Sequence, residues 1–226
     1  MCEMKYRHEW KHEITYGDML VLRQRLSLVA KRDLHTVNGN YEIRSLYFDT
    51  PSDKALREKT DGVNIREKFR IRYYNGDLSF IRLEKKSKVN GLCLKESAPL
   101  TVNQVEAILN GAYHMLLCDG NALLAEFYSK IKGGGLRPKT IVDYTREPFV
   151  FAPGNVRITL DYHIRSGLWN LDFLNPDSMT VSAGNNVVIL EVKWDEYLPD
   201  IIRDIVQVEH CRPGAFSKYA ACRIYR

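Results

Sequence analysis

Positive charge in this chain falls on every second residue of several segments. Arg66, Lys68, Arg70 and Arg72 follow one another at that spacing, as do Arg82, Glu84, Lys86 and Lys88. Arg7, Glu9, Lys11 and Glu13 repeat the pattern near the N-terminus. Arg157, Thr159 and Asp161 repeat it further on, and Glu191 with Lys193 adds another instance. A period of two puts each set on one face of a β-strand. The alternate positions are mostly apolar: Val63, Ile65, Phe69 and Ile71 behind the first set, broken only by Glu67, and Ile81 and Leu83 behind the second. Guanidinium forks bind phosphate oxygens in pairs and ammonium groups add mobile point charges, so such faces suit a polyphosphate.

A charged face is also what the solvated side of an ordinary antiparallel sheet looks like. Two features favour binding. Like charges at i, i+2, i+4 and i+6 repel one another, whereas a solvated face usually mixes signs. The same kind of face also recurs from strand to strand. A sheet closed with these faces inward encloses a cationic cavity, stable only when anions or ordered water fill it. Glu9, Glu84 and Glu191 lie on these faces and admit two readings. They are ion-pair partners of the neighbouring Lys and Arg, or ligands of Mg²⁺ or Mn²⁺, hard cations that take carboxylate oxygens and bridge phosphates.

Other chemistries fit less well. His8-Glu9-Trp10-Lys11-His12 spells the zinc-protease pattern HExxH, but that chemistry needs a helix that puts both His on one face. This window alternates with period two and has no obvious third ligand, so the zinc reading is set aside. His35, His114, His163 and His210 form no ligand spacing. A net charge of +5 is modest, and aromatic residues for base stacking are not interleaved on the basic faces, which argues against a nucleic-acid partner. Cys2, Cys93, Cys118, Cys211 and Cys222 contain no CxxC pair and read as free thiols of a reducing compartment. No apolar run approaches the ~18 residues of a membrane span, and the first residues lack a signal-peptide apolar region. A cytoplasmic protein is expected, reaching the inner face of a membrane only through a partner.

The elements that must position these residues are readable from turns and periodicity. Asn75-Gly76 and Asn90-Gly91 tolerate the positive φ of tight hairpins, so Val63–Tyr74, Leu78–Lys88 and Leu92–Glu96 form a three-stranded meander. Further strands are expected at Lys5–Ile14, Tyr41–Asp49, Lys139–Arg146, Val156–Ile164 and Val187–Trp194. Helices are expected over Tyr16–Ala30, capped by Thr15 with Asp18, and Val102–Leu109, capped by Thr101 with Gln104. Others fall at Pro51–Glu58, Gly120–Ile131, Pro199–Val208 and Ser217–Cys222. Gly133-Gly134-Gly135 reads as a loop. With 45% hydrophobic and 27% charged residues in 226, the chain is expected to be one α+β domain built around an antiparallel sheet or barrel.

Several segments in order carry a family likeness: Glu9-x-Lys11, Ser45-Leu46-Tyr47-Phe48-Asp49-Thr50-Pro51, Lys68-x-Arg70-x-Arg72 and Leu83-Glu84-x-Lys86. Arg137-Pro138 with Tyr144-x-Arg146, Arg157-Ile158-Thr159-Leu160-Asp161, Leu190-Glu191-Val192-Lys193 and Ser217-Lys218-Tyr219 complete the series. The chain resembles the VTC domain, a polyphosphate polymerase domain of the triphosphate tunnel metalloenzyme superfamily that also holds the CYTH phosphatases and cyclases. The resemblance spans Tyr6 to Tyr219. It implies an antiparallel eight-stranded β-barrel with peripheral helices, formed by residues 1–226 as a single tunnel domain.

The resemblance further implies transfer of the γ-phosphate of ATP to a growing inorganic polyphosphate, with Mn²⁺ or Mg²⁺ present. Carried over by position, Lys11, Arg70, Arg72, Lys86, Arg146 and Lys218 are the phosphate ligands of the catalytic site. Lys68, Lys95, Arg157, Lys193 and Ser217 support the phosphate path. Glu191 is the metal ligand, with Glu84 and Glu9 as further candidates. Triphosphate hydrolysis, nucleotidyl cyclisation and binding without turnover, as an accessory subunit, are the alternatives in the same tunnel. Arg7 stands where the wider superfamily's ExExK signature begins with Glu, a departure that fits the VTC branch. With no SPX module or membrane segment in the chain, membrane delivery of the product would fall to a partner protein.

Overall fold

Two tight turns establish the sheet. Asn75 and Gly76 have φ of 51° and 71°, Asn90 and Gly91 of 49° and 84°, and each pair folds one strand back on the next, as Asn-Gly hairpins do. The computed structural model describes residues 6–118, 120–183, 187–209, 212–214 and 216–223. Cys2, Lys5, His210 and Cys211 lie outside them. The described strands are β1 (His8–Ile14), β2 (Lys31–Arg32), β3 (Tyr41–Asp49), β4 (Arg66–Tyr74), β5 (Asp77–Val89) and β6 (Leu92–Leu100). They continue with β7 (Arg137–Phe151), β8 (Val156–Ser166), β9 (Val181–Ser182), β10 (Val188–Trp194) and β11 (Arg212–Pro213). The described helices are α1 (Tyr16–Val29), α2 (Lys54–Thr60), α3 (Val102–Leu109), α4 (Ala122–Gly134), α5 (Asp200–Ile205) and α6 (Lys218–Ala221).

All pairings are antiparallel, in the order β11-β1-β10-β8-β7-β3-β4-β5-β6. The sheet curls until its ends meet. Arg7 N–H donates to the Cys93 carbonyl at 3.1 Å and Cys93 N–H returns the bond at 3.3 Å. Eight long strands thus form an antiparallel barrel, and helices coat its outside.

The outer faces carry the core. Phe69, Ile71, Leu83, Leu46 and Phe48 pack on Val105, Ile108, Leu124 and Phe127 of α3 and α4. Ile158, Leu160, Leu190 and Val192 pack on Met19, Leu22, Leu26 and Ile202 of α1 and α5. On β4, β5, β8 and β10 the apolar half therefore points outward to a helix, and most of the charged half points inward. This removes the solvated-sheet reading for the basic faces. Glu67, the one acid on the outer face of β4, is answered by Lys130 of α4 and by Lys85 at 3.5 Å.

Both expected capping boxes are present. Thr15 Oγ1 accepts from Asp18 N–H at 3.1 Å, and Thr101 Oγ1 accepts from Gln104 N–H at 3.2 Å. Elsewhere the boundaries move. The second helix runs Lys54–Thr60 rather than Pro51–Glu58, because the buried Asp49 carboxylate accepts from the amides of Ala55 and Leu56 at 2.8 and 3.1 Å. Residues 63–65 belong to the exit from α2, where Val63 N–H bonds Glu58 O at 2.9 Å, so β4 starts only at Arg66. Strand β7 continues past Pro148 to Phe151, since proline withholds a donor but keeps an acceptable φ. Gly133 and Gly134 are not loop but the last turn of α4, and Gly135 alone takes the left-handed cap, at φ 66°.

A Cβ at Gly133 meets nothing within 4 Å, whereas at Gly135 it approaches Pro51 Cδ at 3.4 Å on a left-handed backbone. Gly133→Ala should stabilise the protein in urea by about 0.5–1 kcal/mol, and Gly135→Ala should destabilise it by about 1 kcal/mol. Equal effects at the two positions would contradict the helix end described.

Candidate functional site: a cationic tunnel

The inward strand faces enclose a cavity of about 1020 Å³ whose wall includes all fourteen residues singled out from the sequence. On one wall, β4 and β5 stand in register with Arg66 opposite Lys88, Lys68 opposite Lys86 and Arg70 opposite Glu84. Glu84 is buried and answers three cations: Arg70 Nη2 at 2.7 Å, Lys95 Nζ at 2.5 Å and Arg72 Nη1 at 3.6 Å. Arg70 Nη1 also donates to Tyr47 Oη at 2.8 Å. Arg72 donates to Ser45 Oγ and Tyr144 Oη, both at 2.9 Å.

The facing wall comes from β1, β10, β8, β7 and α6. Lys11 stands opposite Glu191, and Glu9 opposite Lys193. Arg146 grips Asp161 with two bonds of 2.6 and 2.7 Å and touches Glu191 at 3.2 Å. Lys218 reaches Asp161 at 2.5 Å, bringing α6 into the cavity. Lys193 pairs with Glu191 at 3.0 Å, Lys11 with Glu9 and Glu191 at 3.5 and 3.6 Å, and Lys86 with Glu9 at 2.7 Å. Arg157 sits at the rim on Asp33 at 2.9 Å. The hydroxyl of Ser217 accepts from Ala220 N–H at 3.3 Å, capping α6 while it lines the cavity.

These contacts set the ionisation of the acids. Burial raises the Glu84 carboxyl, but Arg70, Arg72 and Lys95 outweigh burial and hold it well below the usual carboxylate range. Glu191 is likewise held low by Lys11 and Lys193 against burial. Glu9 stays below its ordinary value because Lys11 and Lys86 overcome burial and the nearby Glu191. Burial of Asp161 is outweighed by Arg146 and Lys218. Four carboxylates thus stay charged inside a barrel, each with cations in contact.

The residues fit a hard cation at one place. Glu9 and Glu191 lie within hydrogen-bonding reach of each other. Thr159, the register neighbour of Glu191, has a buried hydroxyl with no partner among the described residues. Two carboxylates and a hydroxyl suit Mg²⁺ or Mn²⁺, which commonly complete their shells with water and substrate phosphates. Glu84 lies on the other wall, its oxygens engaged by Arg70 and Lys95, and no cluster of three His, Cys, Asp or Glu suited to a metal occurs among the described residues. Arg7 is pinned at the rim, with its Nε donating to Asp195 Oδ1 at 2.7 Å. The HExxH segment lies in strand β1, with His8 stacked on Trp194 at 5.3 Å.

Asp161, Tyr47 and Tyr144 were not singled out as site residues, yet each contacts the phosphate-ligand candidates directly. Asp161 shared strand parity with Arg157, a usable signal. Tyr144 lies two residues from Arg146 on the same face. Strand alternation did not mark Tyr47, because β3 is buried on both sides; it stood only within the Ser45–Pro51 segment of the family likeness. Lys59 of α2, Arg66 and Lys88 also line the cavity.

Glu84→Gln should cost about 3 kcal/mol in chemical unfolding at neutral pH, because three cations lose their counter-charge. Added inorganic tripolyphosphate should recover part of that loss in a thermal melt. A carboxyl depressed in the fold contributes fully above its ordinary pKa, and the contribution disappears as pH falls through the folded value. Parent and variant should therefore converge in acid. A melting temperature unchanged at neutral pH would contradict the pairing.

Comparison with known proteins agrees with this geometry. The fold matches a candidate adenylyl cyclase from Hippeastrum described as having a dominant triphosphatase activity, with TM-score 0.60 and 15% identity over 96% of this chain and 95% of that one. It also matches a candidate adenylate cyclase from Bacillus halodurans, with TM-score 0.54 and 14% identity over 84% of this chain and 80% of that one. At such identities the likeness concerns the fold. No curated protein sequence matches significantly. The family model described as the VTC domain matches residues 6–225, and the chain belongs to that family.

Proposed function

We propose that residues 1–226 act as one tunnel domain that polymerises phosphate, transferring the γ-phosphate of ATP to the end of an inorganic polyphosphate chain. The observation that carries this reading is the double wall of cations around a cavity long enough to line Arg66 to Arg72 along one strand. In phosphoryl transfer the protein contributes mostly position and charge. Here Arg70 and Arg72 grip from one side, Lys11, Arg146 and Lys218 from the other, and Lys68, Lys86 and Lys193 lie between. The P–O bond to the β-phosphate breaks, a new P–O bond forms to the terminal oxygen of the polymer, and nucleoside diphosphate leaves. Glu191 with Glu9 would hold Mn²⁺ or Mg²⁺, which supplies neutralisation of charge on the phosphate oxygens.

Buried acids preorganise the cations. Asp161 holds Arg146 by its Nε and Nη2 edge, and Glu84 holds Arg70 by Nε and Nη2. Positioned guanidiniums need no reorganisation when the phosphates arrive. The substrate-side partners are a nucleoside triphosphate and polyphosphate. A membrane protein that carries the product away is the proposed macromolecular partner, with this chain on the cytoplasmic side. No helix among the described residues is long and apolar enough to cross a membrane.

A triphosphatase in the same tunnel is the second reading, favoured by the fold shared with the Hippeastrum protein. Arg7, where the wider signature has Glu, disfavours a second metal. The protein incubated with γ-labelled ATP and Mn²⁺ should yield a ladder of labelled polyphosphate on a gel. Orthophosphate alone would replace polymerisation by hydrolysis, and bound nucleotide without product would leave a binding subunit. Arg70→Ala with Arg72→Ala should lower polymer yield by at least about 100-fold, the order expected when transition-state charge stabilisation is removed. Full activity in that variant would overturn the tunnel as the active site.

A further inference from the structure

Among the lysines singled out from the sequence, one differs from the rest. Lys11, Lys86, Lys95, Lys193 and Lys218 each meet a carboxylate. Lys68, half-buried on β4, meets none among the described residues. Its ammonium lies 5.4 Å from the ring centroid of Tyr47. Tyr47 is 2% exposed, its ring stacked on Tyr219 of α6 with centroids 5.1 Å apart. The phenol oxygen accepts from Arg70 Nη1 at 2.8 Å, and its own hydrogen finds no acceptor among the described residues. A half-buried lysine without an acid among the described residues thus lies against a buried phenol with a spare donor, both on the cavity wall.

We propose that Tyr47 and Lys68 form a proton-accepting subsite, through which the tunnel takes up protons as it takes up a phosphate chain. The proposal rests on the phosphate-chain reading above. Arg70 and Arg72 of β4 face Tyr47, as does Tyr219 of α6; Lys86 of β5 and Lys11 of β1 face Lys68. Tyr144 of β7 and Lys218 of α6 complete that end, with the ammonium 4.6 Å from the Tyr144 ring centroid. The acid on this wall, Glu84, is already committed to Arg70 and Lys95.

The electrostatics follow from that arrangement. Burial alone raises the Tyr47 phenol, but Arg70, Lys68 and Arg72 bring it down to about 7. Burial, with Lys86, Lys11 and Arg70, brings Lys68 down to about 7 against the opposing pull of Tyr47. Near and above neutral pH the empty tunnel sheds positive charge by releasing protons from this pair. The two titrate together and their values belong to the pair. A phosphate chain reverses the balance: it favours the ammonium over the amine, and the phenol O–H over the phenolate, as donors to its oxygens. The protons come from solvent, and no covalent bond is made or broken. Binding therefore weakens as pH rises through neutrality, by up to about tenfold per pH unit for each linked proton.

Calorimetric titration with inorganic tripolyphosphate at about pH 8, in two buffers of different ionisation enthalpy, measures the protons taken up. The ligand's own protonation is common to every protein compared. The parent should take up about one proton more than Tyr47→Phe, and Lys68→Arg should also take up less, since its guanidinium never titrates. Affinity should fall more steeply between pH 6 and 8 in the parent than in either variant. Two variants on different strands separate the effect from misfolding. Tight binding with equal uptake in all three proteins would overturn this inference alone. No heat of binding in the parent would overturn the phosphate-chain reading and this inference with it.

Discussion

Like charges cannot be concentrated inside a barrel without compensation, and that constraint organises the rest of this structure. Each guanidinium or ammonium removed from bulk water loses several kcal/mol of hydration that only counter-charges or ligands restore. The wall meets this with buried acids placed between the bases. Glu84 serves Arg70, Arg72 and Lys95; Asp161 serves Arg146 and Lys218; Glu9 and Glu191 serve Lys11, Lys86 and Lys193. The acids are fewer than the bases, so the lining keeps a positive surplus for an anionic guest. They also fix the directions in which the bases point.

The outside of the barrel makes that inside affordable. Strands with one apolar and one charged face need a helix coat, and α1, α3, α4 and α5 provide it through the two large clusters. The smaller helices have a positioning task. Buried Asp49 binds the amides at the start of α2 and the hydroxyl of Tyr219 on α6 at 2.8 Å. One carboxylate thereby holds both helices beside the cavity, and Lys218, next to Tyr219, reaches Asp161 from that anchored helix.

Much of this was readable from residue order, and the reasons differ by element. The face of β4 was legible because its two sides meet different surroundings, helix on one and cavity on the other. Hairpins and capping boxes were legible because Asn-Gly, Thr15 with Asp18 and Thr101 with Gln104 act over a few residues. Tyr47 was not, since both faces of β3 are buried and alternation carries no contrast there. Which cations reach Glu84 depends on cross-strand register and on Lys95 of β6. The Asp161–Arg146 clasp depends on register in the same way. Gly133 and Gly134 passed for a loop because local propensity was read without the packing of α4 that overrides it.

The central claim is that the inward-facing bases hold a linear phosphate chain inside the barrel. A crystal structure of the protein grown with tripolyphosphate and Mn²⁺, with the metal located by anomalous scattering, tests it most directly. Phosphates should be strung between Arg70 and Arg72 on one side and Lys11, Arg146 and Lys218 on the other, with manganese against Glu191 and Glu9. Tripolyphosphate bound only on the outer surface, with the tunnel bases still paired to their acids alone, would contradict it.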